Sequence, residues 1–98
     1  MLEGGPREQR LDKWLWHARF VKSRNQAAKL VEDGCVRINR QRVVKASAMV
    51  KLGDVLTATI HDRVRIIEVA GIGERRGPAS EARLLYNERS VAPDADAG

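Results

Sequence analysis

The chain predicts an α+β fold, with two helices covering part of a twisted antiparallel sheet and a short helix closing the C-terminal end. Three features of its 98 residues carry that expectation. From Leu11, apolar residues fall at 11, 14, 15 and 18, the spacing of a single helix face. Past Gly34 the apolar period changes from helical to two, as a half-buried strand requires. Pro78 then opens a segment in which Ala79, Ala82, Leu85 and Tyr86 again share a helical face.

The elements follow in order. Residues 1–9 include Gly4, Gly5 and Pro6 and read as a flexible leader. The first helix is expected from Leu11 to Phe20, with Arg10, Lys13 and His17 along one side of its apolar stripe and Asp12, Trp16 and Arg19 further round. Ser23 suits the N-cap of a second helix, because its hydroxyl accepts from a free backbone N–H one turn on. Ala27, Leu30 and Val31 form the buried stripe of that helix, and Gly34 ends it in the left-handed conformation. Val36 and Ile38 then point one way and Arg37 and Asn39 the other. Asn39-Arg40-Gln41 reads as a turn, Arg42 to Lys45 as the returning strand, and Lys51-Leu52-Gly53-Asp54 as a second turn. Leu56, Ala58 and Ile60 alternate with Val55, Thr57 and Thr59, and His61-Asp62 turns into a strand from Arg63 to Ala70. Ile66-Ile67 breaks that alternation and predicts a bulge or a segment covered on both faces. Gly71 to Gly77 is a loop. The expected organisation is one domain over residues 10–88, in which 61–88 add a sheet extension and the last helix, followed by a disordered tail over 89–98.

Composition narrows the class. A hydrophobic content of 43% with 32% charged residues suits one small globular core. Cys35 is the sole cysteine, so there is no disulfide framework, and His17 and His61 are too few and too far apart to hold zinc. No cofactor or metal is expected. No apolar run approaches transmembrane length, and the first residues lack the apolar stretch of a signal peptide. The default setting is therefore cytoplasmic and reducing, with no membrane partner and a monomeric chain.

Charge is the sharpest signal. Between Arg7 and Lys45 eleven Lys/Arg face four acids, a local net of +7, whereas the remainder nets −2. A compact unit with one basic face fits a polyanion, because cations placed near phosphates release condensed counterions. Lys22, Ser23 and Arg24 stand where the second helix begins, beside its unsatisfied N–H groups, which suits phosphate. Gln26 and Lys29 lie on the solvent side of that helix. Arg37, Arg40 and Arg42 crowd one hairpin, where like charges repel across strands unless a phosphate backbone neutralises them. Arg10, Lys13, Arg19, Asn39 and Lys45 complete the candidate RNA-binding set. A catalytic reading fails, since Asp12, Asp54 and Asp62 have no acid–base partner and Ser23 has no His/Asp relay. Gly71-Ile72-Gly73 lacks the third glycine of a nucleotide loop. Trp14 belongs to the core. Trp16 and Phe20 are expected to cradle the C-terminal helix through Leu85 and Tyr86, with base stacking as the alternative. Cys35 reads as an inert packed thiol and His17 as an exposed polar residue. The competing readings are a basic adaptor for an acidic protein and a general RNA- and DNA-binding module.

These residues also match a family. Arg10-Leu11-Asp12, Ala18-Arg19-Phe20, Lys22-Ser23-Arg24, Ala27, Leu30-Val31, Gly34, Val36-Arg37-Ile38-Asn39 and Lys51-Leu52-Gly53-Asp54 resemble the RNA-binding domain named after protein four of the small ribosomal subunit, the S4 domain. The likeness runs in register over about residues 10–60. Together with Arg75-Arg76-Gly77-Pro78-Ala79 and Leu85-Tyr86, RLDKWLWHARFVKSR is more similar still to a stand-alone bacterial branch, the heat shock protein 15 family. The resemblance implies an α-L motif, two helices packed on a small antiparallel sheet with RNA in the groove beside them. It further implies ribosomal RNA as ligand, on free large ribosomal subunits that still carry peptidyl-tRNA, and a part in recycling stalled subunits or in the heat-shock response. Weak DNA binding is left open. Three departures stand out. Asn39-Arg40 replaces the family's Asn-Gly hairpin tip, which a longer turn would absorb. Lys45-Ala46-Ser47 replaces Lys-Pro-Ser, and tail-mediated ribosome contacts, which a long basic tail makes in some relatives, are not expected of these residues.

Overall fold

Both helices pack against one face of an antiparallel sheet in the computed structural model, which describes residues 8–73 and 77–89. Chain order is β1 (Glu8–Arg10), α1 (Leu11–His17), α2 (Arg24–Glu32), β2 (Val36–Ile38), β3 (Gln41–Val43), β4 (Met49–Lys51), β5 (Val55–Ile60), β6 (Arg63–Val69), α3 (Ala79–Ala82), a 3₁₀ turn (Arg83–Leu85) and β7 (Tyr86–Arg89). The main sheet has five strands in the order β3-β2-β5-β6-β7, every neighbour antiparallel. β1 and β4 pair separately, Gln9 opposite Val50. This is the expected α+β class, and its α1–α2 pair on a small sheet is consistent with the α-L motif.

The apolar stripes meet as their spacing requires. Leu11, Trp14 and Leu15 of α1, Ala27 and Val31 of α2, and Val36, Leu56, Ala58 and Ile67 of the sheet are all fully buried. Trp14 donates its indole N–H to the Gly71 carbonyl at 2.8 Å, so the largest core side chain is also polar-satisfied.

α1 ends three residues earlier than expected. Arg19 takes φ +65°, its N–H bonds the Trp16 carbonyl, and the Phe20 N–H reaches back to Leu15. This pair of bonds is a Schellman motif, here closed without glycine. Its accompanying apolar contact explains the early stop: Phe20 turns inward to stack on Trp14, with ring centroids 5.9 Å apart. α2 closes the same way at Gly34, φ +79°, as its sequence predicts.

Several expectations are corrected. Glu8 and Gln9 belong to a strand rather than a leader; an all-polar segment shows no strand period, and its pairing comes from β4. The hairpin turn is two residues, Asn39 (φ +50°) and Arg40 (φ +75°), so the missing glycine is not absorbed by a longer turn. Register across β5 and β6 runs unbroken from Val55–Glu68 to Ile60–Arg63, so Ile66-Ile67 forms no bulge: Ile67 enters the core and Ile66 lies on the other face. The C-terminal helix is a single turn with Pro78 at its N-cap, and Tyr86 lies on β7, which completes the sheet beside β6. The expected tail beyond residue 89, most of the leader, and Arg75 and Arg76 lie outside the described residues. Among the described residues, no helix is long and apolar enough to cross a membrane, and no three His, Cys, Asp or Glu gather as metal ligands.

Candidate nucleic-acid interface

The candidate residues separate into two clusters. The first surrounds the start of α2. Ser23 caps the helix, its Oγ accepting from the Gln26 N–H at 3.1 Å, while Gln26 Oε1 accepts from the Lys22 N–H at 2.9 Å. This reciprocal pair resembles a capping box and fixes the turn that presents Lys22 and Arg24. Gln26 is thus engaged by the helix end. Beside it an open recess of about 350 Å³ is lined by Trp16, Lys22, Ser23, Arg24 and Asn25. Arg10 and Arg24 converge on Asp12. Lys13 is part-buried on α1.

The second cluster is the β2–β3 hairpin. Arg37 lies directly opposite Arg42, and Arg40 occupies the exposed tip. Strand alternation sends Arg37 to the sheet face that the helices do not cover, with Val36 buried on the other side. Neither Arg37, Arg40, Arg42 nor Lys45 meets an acid among the described residues. The Arg42 guanidinium lies against Gly34, at the C-terminal end of α2 and away from the first cluster. That places a cation beside the negative end of α2. Lys29 makes a loose i,i+4 pair with Asp33 at 3.9 Å.

Three polar residues turn out to serve the fold. Arg19 donates from Nε to the Gly77 carbonyl at 2.8 Å and so tethers the C-terminal turn. Asn39 donates to Asp54 Oδ1 at 3.0 Å and accepts from the Val55 N–H at 2.9 Å, which clasps the hairpin to β5. His17 is only 2% exposed, with Nδ1 3.0 Å from the Gly73 carbonyl, where Gln9 Nε2 also donates at 2.7 Å. The expectation of an exposed His17 is therefore overturned. The partners of these three residues lie 15 to 58 residues away in the chain, beyond any local pattern.

The aromatics also divide. Phe20 packs between Trp14 and Tyr86, 4.6 Å from the Tyr86 ring, but Tyr86 stands on β7, so the expected cradle for a C-terminal helix is instead a contact between Phe20 and a strand. Trp16 instead leans on the His17 ring at 5.3 Å and borders the recess at the start of α2. Asp12 is the site residue that sequence reasoning passed over. It lies off the apolar stripe in sequence, and its burial comes from Arg10 and Arg24 closing over it.

Comparison with known proteins agrees with this geometry. An S4 domain family model matches residues 9–56. Heat shock protein 15 of Escherichia coli K12 is 49% identical over 81 residues, covering 83% of this chain and 60% of that protein. The Haemophilus influenzae homolog is 42% identical over 82 residues, covering 84% and 62%. The chain thus spans about three-fifths of the length of these curated relatives. Small ribosomal subunit protein uS4 of Solidesulfovibrio magneticus is more distant, at 39% over 72 residues, 71% of this chain and 35% of that protein. The solved structure of Vibrio cholerae heat shock protein 15, described as trimeric, superposes with a TM-score of 0.79 at 42% identity and covers 85% of this chain and 83% of that one. With likeness in sequence and structure over nearly the whole described fold, the chain belongs to the heat shock protein 15 family and carries an S4 domain.

Proposed function

We propose that this protein binds structured RNA through the start of α2 and the β2–β3 hairpin, and that its platform is the free large ribosomal subunit still carrying peptidyl-tRNA. Its role there is in recycling stalled subunits or in the heat-shock response. The observation that carries the RNA reading is the hairpin: Arg37 and Arg42 face each other directly, with Arg40 at the tip and no acid beside them among the described residues. Opposed arginines destabilise a hairpin in isolation and are relieved by a phosphate backbone. Phosphate contacts position a protein without reading sequence, so specificity calls for a defined RNA shape.

The test is a titration of folded ribosomal RNA, random RNA and duplex DNA at several salt concentrations, with the wild type and an R24E/R37E double variant. The double variant is expected to lose about tenfold or more in affinity for folded RNA, with a shallower salt dependence. Unchanged affinity would remove this face from the interface. Weak, salt-labile binding with no preference among the three nucleic acids would favour an adaptor for an acidic protein or a general nucleic-acid module. Without RNA the chain is expected to sediment as a monomer, and a trimer would align it with the Vibrio cholerae relative.

A further inference from the structure

Asp12 is 4% exposed, yet it lies under a face otherwise built from cations. Its Oδ1 accepts from the Lys13 backbone N–H at 2.7 Å and from Arg10 Nε at 3.2 Å. Its Oδ2 accepts from Arg10 Nη2 at 3.0 Å and stands 3.5 Å from Arg24 Nη2. The two arginines come from different elements, the end of β1 and the first residue of α2, and reach the same oxygen. Their side chains remain 48% and 43% exposed, so both guanidinium groups keep N–H donors directed at solvent.

The buried carboxylate needs a partner, which Arg10 and the Lys13 N–H already supply, so stability does not call for a second, half-exposed arginine from α2. What the carboxylate does supply is order. Two long side chains that would otherwise sample many rotamers are held side by side before any ligand arrives, which reduces the entropy lost on binding.

We propose that Arg10 and Arg24 form a clamp for one backbone phosphodiester of RNA, and that Asp12 is the positioning residue that sets their spacing. Ser23 and the first N–H groups of α2 adjoin the clamp on the Arg24 side. The proposal rests on the RNA-binding reading above and sharpens it, because it makes a prediction opposite in sign to simple charge counting. Removing an acid from a basic face should tighten RNA binding if only net charge mattered; removing the acid that orders the clamp should weaken it.

The experiment is RNA titration of the full chain with Asp12→Asn, alone and in an R10Q/R24Q background, with folding followed by circular dichroism. Asp12→Asn is expected to lose about tenfold in affinity despite its added positive charge, and to release about one counterion fewer. In the R10Q/R24Q background the same substitution is expected to change affinity by less than about twofold, because its effect passes through those arginines. Folded Asp12→Asn that binds as well as or better than wild type overturns the clamp, as does an equal loss in both backgrounds. Should Asp12→Asn fail to fold, Asp12→Glu keeps the charge and displaces the arginines; weakened binding then supports the clamp and unchanged binding overturns it. A wild type that fails to bind RNA sinks the interface itself, whereas a wild type that binds with these variants unaffected sinks only the clamp.

Discussion

Arg65 shows how much one side chain can join. It stands on the core face of β6 with its guanidinium 4.8 Å from the centre of the Phe20 ring, and forks onto Glu88 of β7 at 2.7 and 2.6 Å. The hydrogen bond from Arg65 holds the Glu88 carboxyl below its ordinary value of 4.5, and Glu88 in turn raises the arginine. A carboxyl lowered by folding stabilises the native state above its unfolded value, and that contribution is lost as pH falls through the lowered one. Glu88→Gln is therefore expected to cost about 0.5–1 kcal/mol at neutral pH, modest because the pair is part-exposed. Thermal unfolding as a function of pH checks this: the two melting curves should differ above the ordinary glutamate value and converge as pH falls through the lowered one. A difference that persists at low pH would mean that packing, not charge, links β6 to β7.

The β2–β3 hairpin sets shape against charge within one element. Arg40 holds φ +75°, where a side chain costs about 1 kcal/mol relative to glycine. Asn39 tolerates its own positive φ more easily and adds the clasp to Asp54 and Val55. Arg40→Gly is accordingly expected to stabilise the chain by about 0.5–1 kcal/mol in denaturant unfolding while weakening RNA binding a few-fold. A variant that loses stability would show that the turn is not strained at this position. One with unchanged RNA affinity would place the tip outside the contact. The same element shows what a short sequence reveals: strand, turn and arginine cluster follow from residues 36–43, but the tightness of the turn depends on β5, twelve or more residues on.

At the level of the molecule, the two basic clusters lie apart, one at the start of α2 and the other on the β2–β3 hairpin, whose Arg42 covers the far end of that helix. A protein that grips phosphates at two separated places discriminates by the shape of its platform more than by base sequence. Lysate fractionated after forced translational stalling is expected to carry this chain with free large subunits, and more strongly when peptidyl-tRNA is retained. Recovery only in ribosome-free fractions, or only with small subunits, would leave RNA binding in place and remove the ribosomal assignment.

Most of the fold follows from short-range rules that a linear reading captures. The α1 and α2 stripes, the Ser23 and Gly34 caps and the β5 alternation each depend on neighbours within a turn or a strand step. So does the charge bias of residues 7–45, which needs no structure to be counted. The remainder depends on partners distant in the chain. β1 is a strand only because β4 accepts it, and α1 stops at His17 because Phe20 is drawn to Trp14 and Tyr86. Arg19, Asn39 and His17 become structural through Gly77, Asp54 and Gly73. Asp12 pairs locally with Arg10 but gains Arg24 only once α2 has folded back over α1. A polar side chain carries no periodic signal, so its role is settled by whichever buried donor or acceptor the folded chain brings within hydrogen-bonding distance.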